Sequence, residues 1–168
     1  MSQEYIRKKA REIFCQYATN DPVQIAHDLD IGIKYADIGA LKGLYTIVLD
    51  KPFIVVNQNL SEAEQQIVLA HELGHHLLHQ HFVQADGLRE TVLYDMSSKP
   101  EYEANVFASQ ILLPDDEILD HIYNGYDAEQ ISRIMNTDIN LVALKCAQLN
   151  QSGHKFNTPS YSSNFLNK

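Results

Sequence analysis

The chain has 168 residues, 45% apolar and 21% charged, the composition of one soluble globular domain. A chain of this length buries about 70% of its unfolded surface, so it needs no disulfide or metal to hold a core. Thirteen basic against 22 acidic residues leave a formal charge of −9, which disfavours general nucleic-acid binding because phosphate neutralisation needs a basic surface. Cys15 and Cys146 follow no metal or redox spacing and read as reduced thiols. The first residues scatter charges with no apolar middle, and no run of 18 apolar residues follows. The expected setting is the cytoplasm, with no membrane partner.

Residues 2–18 carry Tyr5, Ile6, Ala10, Ile13, Phe14 and Tyr17 at helical spacing. Asn20-Asp21-Pro22 places a capping residue before a proline, the signal for a second helix to about Leu29. Three β-type runs come next, at Gly32–Tyr35, Leu44–Leu49 and Phe53–Asn57. Asp50-Lys51-Pro52 joins the last two as a tight turn, so a hairpin within a small antiparallel sheet is expected. Ser61 and Glu64 make a capping box that opens a long helix to about His79, with its apolar stripe through Ala63, Ile67, Ala70, Gly74 and Leu77. Residues 82–99 read as a looser segment. Pro100 starts a helix that Pro114 stops, and helices at about 115–123, 128–135 and 139–149 follow, one of them opened by Asp127 with Gln130. From Gln151 to Lys168 the chain is polar and aperiodic, and reads as a loose tail.

Eight histidines are the unusual feature of the composition, and four of them fall between positions 71 and 79. Residues 71–75 spell His-Glu-Leu-Gly-His. On a helix, His71 and His75 stand about 40° apart on one face, one turn separated, so both imidazoles can hold one Zn²⁺. Glu72 falls about 100° round from His71, where it serves a reacting water and not the metal. A catalytic zinc site needs a third protein ligand and an open fourth position.

Glu101 and Glu103 are the carboxylate candidates. With Glu101 as origin, Ala104, Asn105, Ala108, Ile111 and Leu112 project within about 80° of it, so Glu101 sits on the buried stripe. A lone buried carboxylate is costly unless paired or bound to metal. Glu103 projects about 200° away, towards expected solvent. Glu101 is therefore the chosen ligand. His81 is the rival, ten residues after His71 as in H-E-x-x-H-x-x-G-x-x-H proteins, but that geometry needs a glycine at position 78, which is Leu. His76, His79 and His81 are expected at the surface or rim. Tyr94, Tyr123 and His121 are open candidates for an oxyanion donor.

The segment Glu101-Tyr-Glu-Ala-Asn-Val-Phe-Ala-Ser-Gln-Ile-Leu-Leu-Pro114, taken with His-Glu-Leu-Gly-His, resembles the paired motifs of the ImmA/IrrE family of zinc metallopeptidases. The resemblance covers roughly residues 5–150, and the size is similar to the short forms carried by phages and conjugative elements. It implies an α+β, zincin-like domain over residues 1–150, with 114–150 as its helical C-terminal part and 151–168 as tail. It implies one Zn²⁺ on His71, His75 and Glu101, with Glu72 as base. It also implies a substrate, a helix-turn-helix transcriptional repressor, and leaves open a need for an activator protein. Asn105, one turn after Glu101, suits the orientation of a histidine ligand.

Two other readings compete. A zincin domain could bind the repressor without cutting it, although an intact Glu72 is superfluous there. Residues 127–150 have helix-turn-helix spacing, but Arg133 and Lys145 are their only basic residues, so a packing element is expected and no direct DNA binding.

Overall fold

The computed structural model describes residues 1–86 and 98–157, with side chains in the first stretch as far as His79. The elements are α1 (Gln3–Tyr17), α2 (Pro22–Asp28), β1 (Gly32–Ala36), β2 (Gly43–Val48), β3 (Lys51–Asn57), α3 (Glu62–Asp86), α4 (Lys99–Leu112), α5 (Asp115–Tyr123), α6 (Ala128–Ile134) and α7 (Ile139–Gln151). The fold is α+β, as the sequence predicts.

The start signals work locally. Asp21 accepts from the Val23 amide to cap α2, with Pro22 at the first helical position. Ser61 and Glu64 exchange hydrogen bonds at the start of α3, and Asp127 and Gln130 do the same for α6. In α1 the buried stripe is narrower than its apolar pattern. Ile6, Ala10 and Ile13 are buried, whereas Tyr5 and Phe14 flank them and stay exposed.

The sheet is mixed, which corrects the antiparallel expectation. Strand order is β1-β3-β2, with β2 antiparallel to β3 and β1 parallel to it. The hairpin turn is Leu49-Asp50, both at positive φ, so Pro52 falls inside β3 opposite Ile47 and not in the turn. Pro52 is tolerated in the central strand because pairing with β1 begins only at Phe53. Residues 37–42 arch over the end of β3 from β1 to β2. That is two strand spacings, about 10 Å, well within the reach of such a loop. Asn57, buried at the end of β3, donates to the Gly39 and Leu41 carbonyls and so ties the arch down.

α3 is the central element. It runs past its expected end to Asp86, and from Ile67 to His75 it is buried on every side. One core joins α1, α2, the sheet, α3 and α4 through residues such as Ile6, Ile25, Ile54, Leu69 and Phe107. A second joins the opposite face of α3 and α4 to α5, α6 and α7 through Ala70, Ala108, Ile118, Ile131 and Leu141. Helices clad on both faces lose their polar stripe.

The C-terminal helices are packing elements. α7 buries Leu141, Leu144 and Leu149, and Lys145 is buried against Asp115 and Gln110. Asp115 also pairs with Arg7 of α1, so one carboxylate joins three helices. Arg133 is exposed and paired with Glu129. The start of the predicted tail is docked. Asn150 bonds both the amide and the carbonyl of Phe156, whose ring packs on the second core. Cys15 is exposed and Cys146 buried, both free. Among the described residues, no helix is long and apolar enough to cross a membrane.

Candidate metal centre

His71 and His75 project from one face of α3, as their spacing dictates, and α4 lies across that face. Close approach is allowed by Gly74, which meets the Ala104 backbone of α4. Glu101, in the first turn of α4, then reaches both rings. Its Oε2 is 3.2 Å from His71 Nε2 and its Oε1 is 3.3 Å from His75 Nε2, while the two Nε2 atoms are 3.0 Å apart. All three side chains are buried, and one donor atom from each lies within 4.8 Å of the others.

The donor chemistry of this group fits a cation. Asn105, buried on α4, places Oδ1 at 2.9 Å from His71 Nδ1, which donates to it. A neutral His71 ring bonded in this way turns a lone pair at Nε2 towards Glu101. Burial pushes the Glu101 carboxyl up, but where the His71 and His75 rings carry protons at Nε2 in place of a metal, their hydrogen bonds and charge outweigh burial and hold it well below the usual carboxylate range. A carboxylate and an imidazole lone pair face each other out of water, and among the described residues no lysine or arginine pairs with Glu101. A divalent cation among these atoms satisfies all of them at once.

Glu72 is fully buried on the flank of α3 that faces β2. A β-carbon on Gly43, the first residue of β2, would stand 3.0 Å from Glu72 Oε1 and overlap Val68 Cγ1. Glycine at this strand end makes the space in which the Glu72 carboxylate sits.

Two sequence expectations are corrected here. His79 is buried, not at the surface, and Glu103 is buried, not in solvent. They meet, with His79 Nε2 at 2.9 Å from Glu103 Oε2. The first turn of α4 is covered on its far side by the start of α1, where Gln3 bonds Tyr102 and the Met1 amino group bonds Glu103. Periodicity within one helix does not reveal a third element lying over its polar face. Burial pushes the His79 imidazole down, against the pull of Glu103. Glu103 is pushed up by burial and more than restored by the Met1 amine and His79, which hold it below its ordinary value.

His76 is half-buried at the rim, with Nδ1 at 2.8 Å from the Tyr45 hydroxyl. Burial pushes that hydroxyl up to about 12 and the His76 ring down. The sequence offered no signal for this pair, because nothing local links β2 to α3. Tyr123 bonds His154, just beyond α7, and His121 stacks edge-on with Tyr126, between α5 and α6. Tyr94 and the His81 side chain lie outside the described residues.

Fold and site define a class: a zincin-like α+β domain whose H-E-x-x-H helix is faced by a glutamate from the next helix. The family described as the IrrE N-terminal-like domain, peptidase M78, matches residues 26–146, and the chain belongs to that family of peptidases. It is 32% identical over 150 residues to Metallopeptidase ImmA of Bacillus subtilis (strain 168), covering 86% of this chain and 85% of that protein. It is 28% identical over 141 residues to Uncharacterized immunity region protein 2 of Bacillus phage phi105, covering 83% and 88%.

Proposed function

We propose that this chain is a zinc-dependent, site-specific endopeptidase that cleaves a helix-turn-helix transcriptional repressor in the cytoplasm, relieving repression of a phage, mobile element or stress regulon. The observation that carries the reading is the convergence of His71, His75 and Glu101 beside the buried Glu72. The names of the two relatives, a metallopeptidase and an immunity-region protein, support the repressor context.

His71, His75 and Glu101 would hold one ion. When bound, zinc supplies Lewis acidity, lowering the pKa of a coordinated water to about 7 and polarising the scissile carbonyl. Glu72 takes the proton of the attacking water and hands it to the departing amine. Asn105 holds the His71 ring in place.

Among the described residues β2 is an edge strand, and its first residue lies against Glu72. An extended peptide added to that edge passes its backbone beside the base, with main-chain pairing giving generic affinity and side-chain pockets giving selectivity.

The test is incubation of the purified protein and zinc with the helix-turn-helix protein encoded beside it, with and without any neighbouring activator candidate. Defined fragments are expected, and none from Glu72→Gln. Continued cutting by that variant overturns the role of Glu72. Co-elution with an uncut repressor, indifferent to chelator, replaces the peptidase with a sequestering protein.

A further inference from the structure

A second line of polar groups runs outward from His75. His75 Nδ1 lies 3.3 Å from His79 Nδ1, and His79 Nε2 lies 2.9 Å from Glu103 Oε2. His79 is 3% exposed and Glu103 4%, so the line is closed to bulk water. The protons on it follow from the acceptor at its end. A carboxylate only accepts, so His79 Nε2–H donates to Glu103. The neutral His79 ring then carries its lone pair at Nδ1, which accepts from His75 Nδ1–H. That leaves the His75 lone pair at Nε2, on the side of His71 and Glu101. With both rings neutral, no other assignment satisfies both contacts.

We propose that His79 and Glu103 are positioning residues for His75, a carboxylate–imidazole chain that fixes the ring and tautomer with which His75 meets a divalent cation. The inference rests on the reading of His71, His75 and Glu101 as ligands. It makes the two histidines alike in support though not in means: Asn105 holds His71 directly, whereas Glu103 holds His75 through His79. Glu101, Glu103 and Asn105 alternate along the first turns of α4, so this one helix brings a ligand and both outer partners. A ligand histidine left without an acceptor for its second N–H loses both orientation and basicity.

The probe is Co²⁺ alone, added to the metal-free full-length protein, with affinity read by chelator competition and geometry by the visible d–d spectrum. His79→Phe keeps ring volume but removes the acceptor. It is expected to weaken Co²⁺ binding about 10- to 100-fold and to change the spectrum. Glu103→Gln is expected to shift both in the same direction, less strongly. His79→Asn, which returns an amide oxygen near the Nδ1 position, should recover part of the affinity and the parent spectrum. If His79→Phe does not fold, judged by circular dichroism, the other two variants decide. Unchanged affinity and spectrum in the folded variants, with the parent protein binding Co²⁺, would overturn the chain and leave the ligand reading intact. Failure of the parent protein to bind Co²⁺ would overturn both.

Discussion

Gly74 of α3 meets Ala104 of α4 so closely that a β-carbon on the glycine would stand 3.0 Å from the Ala104 Cα and 3.2 Å from its carbonyl oxygen. This contact sets the distance from which Glu101 reaches the two histidines. Gly74→Ala gains about 1 kcal/mol of helix propensity, yet it pushes on backbone that α1 and α7 hold from behind. Overpacking of about 1–3 kcal/mol outweighs that gain. The variant is expected to melt lower than the parent and to bind metal more weakly. A higher melting temperature with unaltered metal affinity would show that α4 has room to move.

Gly43 poses the same question for the base. An alanine there must displace Val68 or the Glu72 carboxylate. A misplacement of about 1 Å at a catalytic group costs on the order of 10²-fold in rate. Gly43→Ala is therefore expected to cut peptidase turnover about 100-fold while leaving metal affinity near that of the parent. Equal loss of both would place the damage in the fold and not at Glu72.

Ligand and base separate in a melting experiment. Zinc at 100 times its dissociation constant stabilises the folded state by about 2.7 kcal/mol. The parent and Glu72→Gln should both show this rise if, as proposed, Glu72 serves as base and not as ligand. Glu101→Gln and His75→Ala should show little of it. A rise in Glu101→Gln as large as the parent's would remove Glu101 from the ligand set.

Asp115 and Lys145 give the fold a pH signature. Burial pushes the Asp115 carboxyl up, but the hydrogen bond and charge of Lys145, with Arg7, bring it below its ordinary value of 3.8. A folded value below the unfolded one contributes stability above the unfolded value, lost as pH falls through the folded value. The parent should lose part of its stability below about pH 4 for this reason. Burial pushes the Lys145 ammonium down, and Asp115 opposes that. Asp115→Asn strands the buried cation, at a cost of about 3 kcal/mol near neutral pH. Its Lys145 value should fall further, so the variant regains stability as pH rises into the alkaline range, more than the parent does. Urea unfolding across pH measures both limbs, and parallel profiles for the two proteins would refute the account.

The candidate metal ligands were readable because their geometry is local. Four-residue spacing puts His71 and His75 on one face whatever surrounds the helix, and helical phase alone separates Glu101 from Glu103. Caps at Asp21, Ser61 and Asp127 are equally local. The corrections to burial and to sheet topology share one cause. Burial of His79 and Glu103 depends on α1 covering α4 from the far side, and the parallel place of β1 depends on Asn57 pinning a loop at the other end of β3. These are contacts between elements distant in the chain. The sequence by itself therefore determined where the helices start and the donor types, which follow from cap chemistry and period. Only the tertiary structure decided which polar face was left to water, because burial is a property of what packs against a helix and not of the helix.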